Sequence, residues 1–332
     1  MKRSEADAIL DRFAGKRVLV AGDLMVDEYI WGHVGRVSPE APVLVVDAQK
    51  ESFVPGGAAN VANQLRALQA TVVVAGVIGE DDAGARLRES LESLGIETDA
   101  LIESHDRPTT RKTRVVAGAQ QNAQQIVRVD RERRGPLPDA VAERLIADAS
   151  RLLTDCDALL FSDYDKGVLG RATVRALVQA ARSVGSVVVT ANPKPPSARF
   201  YEDADVITLN KFEADQAAGT TRFEDGTEES FHAAGVRLRE SLGVRNLLVT
   251  RSSDGLTVFR PDGFTDVPAH RVEVFDGTGA GDSTIAALTL GLAAGATLME
   301  AVALGNAAGG AVVRKAGVAA ASRDEIVTLF GP

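Results

Sequence analysis

Short apolar runs alternate along most of this chain with longer stretches whose apolar positions recur with helical spacing. Val18-Leu19-Val20-Ala21 is an unbroken apolar run of strand length, as expected for a strand buried on both faces. Similar runs predict strands over Thr71 to Ile78, Thr98 to Ile102, Ala158 to Ser162, Val187 to Thr190, Val206 to Leu209 and Asn246 to Thr250. Helices are predicted over Ala58 to Ala67, Asp82 to Leu94, Pro138 to Leu153, Arg171 to Ser183 and Glu228 to Leu242, with another opening at Lys211. Leu256 to Arg260 reads as the hairpin partner of the strand before it. Near the end, Arg271 to Phe275 reads as a short apolar strand entering a glycine loop. Two small-residue helices follow, Ser283 to Ala294 and Met299 to Lys315.

Two stretches break this rhythm. Tyr29 to Gly32 with Pro42 to Asp47, and Thr113 to Ala117 with Gln125 to Asp130, alternate with period two where a crossover helix is due. The second pair flanks a polar turn at Gly118 to Asn122, and Pro55-Gly56-Gly57 breaks the chain after the first. Both are assigned to one small sheet, a lid built from about 29–54 and 108–130. The remainder predicts an α/β fold with a doubly wound, mostly parallel sheet and helices on both faces, one domain over residues 1–332. Ligands in such folds gather at the C-terminal edges of the strands. Asp23, Asp27, Asp163, Asn192, Asn210, Thr250 and Asp282 all fall there. One active site is therefore expected.

Composition narrows the chemistry mainly by exclusion. The 332 residues are 45% hydrophobic and 25% charged, with a net charge of −9, which disfavours a general nucleic-acid partner. No apolar run is long enough to span a membrane. Met1 to Arg17 lacks the apolar core of a secretory signal, so a cytoplasmic location follows by elimination. Cys156 is the one cysteine, which excludes an internal disulfide and a cysteine-rich zinc site and reads as a buried structural thiol. Walker A, GxGxxG, HExxH and GxSxG patterns are absent, and none of the four histidines lies at a strand edge.

What remains is carboxylates, amides, glycines and lysines, a set suited to phosphate, Mg²⁺ and sugar hydroxyls. In Gly277-Thr278-Gly279-Ala280-Gly281-Asp282, glycines bring backbone N–H groups of a helix N-terminus towards an anion. An acid at such a site repels phosphate unless it takes the proton of an attacking hydroxyl. The competing reading of Asp282 is an acidic first turn of a helix.

Asp276 to Asp282 resembles the C-terminal signature of the ribokinase-like (PfkB) carbohydrate kinases, and Gly56-Gly57-Ala58-Ala59-Asn60 their di-glycine signature. Asn210-Lys211-Phe212-Glu213 is similar to their Asn-x-x-Glu motif, and Val249 to Gly255 to their nucleotide-binding strand and turn. The two β stretches are what that family uses as a lid. The resemblance implies Asp282 as base and Gly279, Ala280 and Gly281 as donors to the transferring phosphate, one such donor being worth ~3 kcal/mol. It implies ATP as donor, bound by Asn210, Glu213, Thr250, Ser252, Gly255 and Asn306. Mg²⁺ would be held from Glu213 through water, with a monovalent cation as an optional aid.

On the sugar side it implies Asp23, Asp27, Gly56, Gly57, Asn60 and Asp163. Lys112 and Arg114 lead the candidates for a substrate phosphate, followed by Arg111, Arg128, Lys166 and Lys194. The capping-turn alternative stays open for the acids. Val37 to Val43 and Ser162-Asp163-Tyr164-Asp165-Lys166-Gly167 resemble the branch that phosphorylates D-glycero-β-D-manno-heptose 7-phosphate at C1, towards ADP-heptose and lipopolysaccharide core. Many members carry a C-terminal adenylyltransferase. This sequence stops at Pro332, so the stand-alone form is expected. Gly277 and Asn192 depart from the pattern, where Thr and Asp are usual. Two rival readings are a kinase for another sugar or sugar phosphate, and a silent sensor of sugar or nucleotide on the same fold. A homodimer through the lid is expected, because apolar Val43, Val45 and Val115 need cover.

Overall fold

The computed structural model describes residues 1–118, 124–219 and 227–331. A nine-stranded sheet forms its frame. β1 (Arg17–Gly22) lies between β4 (Thr71–Gly79) and β8 (Ala158–Ser162), with β5 (Glu97–Ser104) outside β4. Beyond β8 come β9 (Val188–Asn192), β10 (Val206–Asn210), β11 (Leu247–Thr250), β12 (Leu256–Arg260) and β13 (Gly263–Val267). All neighbours from β5 to β11 pair in parallel, and the last two strands turn back antiparallel.

Strand alternation decides which helices each side chain meets. Val18, Val20, Ala158 and Leu160 face one core, and Leu19, Ala21, Leu159 and Phe161 the other. The first core is closed by α1 (Arg3–Leu10), α2 (Ala58–Ala67), α3 (Asp82–Ser93), α8 (Ala280–Ala293), α9 (Leu298–Val312) and α10 (Arg323–Thr328). The second is closed by α4 (Asp139–Leu153), α5 (Arg171–Val184), α6 (Lys211–Ala218) and α7 (Glu228–Leu242). Cys156 is buried there, its thiol donating to the Leu152 carbonyl at 3.2 Å, and burial pushes its pKa up to about 11. It is too poor a thiolate for a nucleophile.

The second sheet has the order β3-β2-β6-β7. β2 (Leu24–Val37) and β3 (Leu44–Gly57) form a long antiparallel ribbon, β6 (Thr110–Ala117) runs parallel to β2, and β7 (Gln124–Arg131) closes the edge. Pro55-Gly56-Gly57 does not break the chain as expected. It completes β3, and Pro55 pairs with Val26 there because an edge strand tolerates a missing donor. Beyond Gly118, the expected polar turn falls outside the described residues.

One expected strand is absent. Arg271 to Phe275 is irregular, with Val274 65% and Phe275 73% exposed. Among the described residues no strand pairs with it, and the N–H groups of Phe275 and Asp276 both donate to the Val313 carbonyl. The helix after the glycine loop begins at Ala280 rather than Ser283, which places Asp282 inside its first turn. Among the described residues no helix is long and apolar enough to cross a membrane.

Candidate active site

The switch in strand order falls between β1 and β8, with β4 and β5 on one side and the remaining strands on the other. The C-terminal edge of β8 to β11, beside that point, holds a cleft of about 190 Å³. It is lined by Tyr164, Asn192, Lys194, Asn210, Glu213, Thr250, Gly279, Gly281 and Asp282, among others.

Gly279 enters α8 with φ of +80°. The first helical bond runs from Ser283 N–H to the Gly279 carbonyl at 2.9 Å, so the Gly281 and Asp282 N–H groups precede the helical ladder. Ala280 N–H leans towards the Gly277 carbonyl at 3.4 Å. No atom lies within 4 Å of a side chain built at Gly277, so its departure from the signature costs the loop no space.

Both oxygens of the Asp282 carboxylate are held. Asn60 Nδ2 donates to Oδ2 at 2.6 Å, and the Tyr164 hydroxyl donates to Oδ1 at 3.0 Å. Asn60 is itself steadied by Gln64 Nε2 at 3.2 Å, and Ser283 Oγ donates to Gln64 Oε1 at 2.9 Å. Burial raises the Asp282 pKa, while the two hydrogen bonds and the charge of Lys194 pull it back. Gln64, Ser283 and Tyr164 went unassigned in the sequence. Tyr164 alone left a signal there, one residue beyond Asp163 at a strand end.

Asn210 and Glu213 explain their own spacing. Asn210 caps α6, with its Oδ1 accepting from Glu213 N–H at 2.8 Å while Glu213 Oε2 accepts from Asn210 N–H at 3.0 Å. Glu213 Oε1 pairs with Lys194. Both carboxylate oxygens thus have protein partners, which fits a hydrated Mg²⁺ better than direct ligation. Thr250 ends β11 at the cleft, and Ser252 and Gly255 form the turn behind it. Asn306 lies on α9 and donates to the Pro268 carbonyl at 2.8 Å, and it is not one of the residues lining the cleft.

The sugar-side residues divide. Asp27, on β2, pairs with Arg114 of β6, and a side chain at Gly56 would run into Asp27 Oδ2. Gly57 adopts φ of +56° at the start of α2, a conformation that favours glycine. Asp23 and Asp163, expected at the sugar, already accept hydrogen bonds from protein groups. Asp23 accepts from the N–H groups of Tyr164 at 2.8 Å, Lys166 at 3.1 Å and Val168 at 3.4 Å. Asp163 accepts from the Tyr201 hydroxyl at 2.7 Å and Asp165 N–H at 2.8 Å. Burial and the neighbouring Asp163 raise the Asp23 pKa to about 6.

The cations divide too. Lys166 is buried against Glu132 at 2.6 Å, and Arg128 pairs with Asp130 at 2.8 Å. Lys112 ion-pairs with no acid among the described residues. Its pKa is lowered by burial and by nearby Lys166, Arg114 and Arg128, and its ammonium stands 5.3 Å from the Tyr164 ring centre.

Acids, amides and lysines converge on a helix N-terminus, with no histidine or cysteine lining the cleft, and so define a phosphotransferase. The chain belongs to the pfkB family of carbohydrate kinases, whose model matches residues 16–325, and it is an ATP-dependent sugar kinase. It is 41% identical over 328 residues to the bifunctional protein HldE of Trichlorobacter lovleyi, covering 98% of this chain and 65% of that protein. The chain thus spans about two thirds of that relative's length. Phosphofructokinase-2 from Escherichia coli in complex with potassium superposes with a TM-score of 0.77 at 18% identity, over 95% of this chain and 98% of that one. Arabidopsis thaliana ribokinase complexed with ribose and ATP gives 0.73 at 19% identity, over 96% and 99%. At such identity these two show the fold alone.

Proposed function

We propose that this kinase transfers the γ-phosphoryl group of ATP to the C1 hydroxyl of D-glycero-β-D-manno-heptose 7-phosphate, giving the 1,7-bisphosphate. The observation that carries the proposal is the Asp282 carboxylate, fixed by Asn60 and Tyr164 in the first turn of α8 beside the glycine loop. Asp282 takes the hydroxyl proton as the sugar oxygen bonds to phosphorus, and the bond from phosphorus to the bridging oxygen of ADP breaks. The Gly281 and Asp282 N–H groups face the charge that develops on the transferred group. Asn210, Thr250 and the turn at Ser252 and Gly255 hold the nucleotide. Mg²⁺, when bound through water at Glu213, would neutralise phosphate charge.

Lys112, with no ion-pair partner among the described residues, and Arg114 beside Asp27 support a sugar that already carries a phosphate. Asp23 and Asp163 act one step back, by ordering the loop that bears Tyr164. The 41% identity to a bifunctional HldE supports the choice of heptose.

The test is ATP consumption over a panel of sugars and sugar phosphates, with the product's phosphate located by NMR and K⁺ compared with Na⁺. Heptose 7-phosphate with a new phosphate at C1 is the expected result; preference for another sugar overturns the substrate. Asp282→Asn should lower turnover by about a thousandfold or more while ATP binding persists. Turnover retained within about tenfold would assign the base elsewhere.

A further inference from the structure

The loop 163–168 is held by unusual means. Asp23 and Asp163, both almost fully buried, direct their carboxylates at its backbone, and Asp165 is kept at φ of +58°. Burying two neighbouring acids is unfavourable. The arrangement needs a reason beyond closing a turn. Of this loop only Tyr164 lines the cleft, and it meets groups from three elements. Its hydroxyl reaches Asp282 on α8, while the ammoniums of Lys112 from the lid and Lys194 from beyond β9 stand 5.3 and 5.1 Å from its ring centre.

We propose that Tyr164 is a positioning residue for the base, its hydroxyl and the Asn60 amide together fixing the plane of the Asp282 carboxylate. Burial and the charge of Asp282 hold the phenol's pKa well above its ordinary value, so the hydroxyl stays a donor. With one donor on each oxygen, the carboxylate cannot rotate without losing a hydrogen bond, and each oxygen keeps lone-pair capacity for the sugar hydroxyl. The contact of Lys112 with the same ring links the lid strand to the base.

This inference rests on Asp282 being the base, so the experiment separates the two. Tyr164→Phe keeps the ring and its lysine contacts and removes only the hydroxyl. The expected result is a fall in kcat of about tenfold with the KM for ATP within about twofold. The acid limb of kcat/KM should move up by roughly one pH unit, because the ionised carboxylate has lost a donor. Replacing Tyr164 alone by 3-fluorotyrosine, a stronger donor, should move that limb down, which keeps the test open if the Phe variant folds poorly. An unshifted limb in both variants, or higher activity in Tyr164→Phe, overturns the positioning role. If Asp282→Asn, assayed alongside, keeps turnover within about tenfold, the base assignment falls instead. An inactive Asp282→Asn with unshifted Tyr164 variants sinks the positioning role alone.

Discussion

The frame sheet and the lid sheet use similar strands under opposite conditions. Every position of β8 is buried, and its residues alternate between two helix layers. Every position of β7 is exposed, and Val37, Val43, Leu44, Ile126, Val127 and Val129 all face solvent on the lid. The site draws on both. Asp282 and the glycine loop stand on the frame, where close packing fixes geometry without any ligand. Lys112 and Arg114 stand on β6 of the lid, a half-buried strand beside the fully exposed β7.

Paired substitutions test this contrast directly. Leu160 in β8 is 0% exposed, and Leu160→Ala should destabilise the chain by about 2–5 kcal/mol. Val127 in β7 is 47% exposed, and Val127→Ala should change stability by less than about 0.5 kcal/mol. Urea unfolding of both variants is the measurement. Comparable losses would mean that the lid is packed as firmly as the frame.

The same contrast governs what could be read from the sequence. Strands buried on both faces are continuous apolar runs, so β8 was legible to its end residues; β12, read as a hairpin partner, and α2 were as well. Arg271 to Phe275 carries the same apolar signal but pairs with no strand among the described residues, and pairing partners are invisible in a local pattern. Asn210 and Glu213 were legible because a capping box fixes their spacing. Asp23 and Asp163 fall at the expected edge, where their carboxylates accept from loop N–H groups and, for Asp163, from the Tyr201 hydroxyl. A strand-end acid looks the same in sequence whether it faces ligand or backbone. Tyr164 was missed because its side-chain partners, Lys112, Lys194 and Asp282, lie far away in the chain.

A smaller effect probes the frame's edge through pH. Asp23 has a folded pKa of about 6 against an ordinary 3.8, and that of Asp163 is raised as well. The folded chain therefore binds more protons than the unfolded chain between these values. Stability from Asp23 is present below about pH 4 and lost as pH rises through about 6, and Asp163 acts in the same sense. Asp81, Asp266 and Asp276 are held low and act in the opposite sense, so the difference between wild type and Asp23→Asn is the useful quantity. That difference should fall between pH 4 and 6 and then stay level. A difference independent of pH would show that Asp23 is ionised throughout.

The smallest effect concerns what covers the lid. Its edge strands β3 and β7 present unpaired backbone groups beside Val43, Leu44, Val127 and Val129, all exposed by more than two fifths. Such edges invite pairing with another chain, and a second copy is the occupant we propose. Sedimentation at micromolar concentration should then show a homodimer. Val127→Ser should raise its dissociation constant by about fivefold, the value of roughly 1 kcal/mol of apolar cover, while leaving the unfolding of the monomer unchanged. A monomer at that concentration sinks the dimer. A dimer indifferent to Val127, Val129 and Val43 would place the interface off the lid, and the exposed valines would then be left for the closed, substrate-bound form to cover.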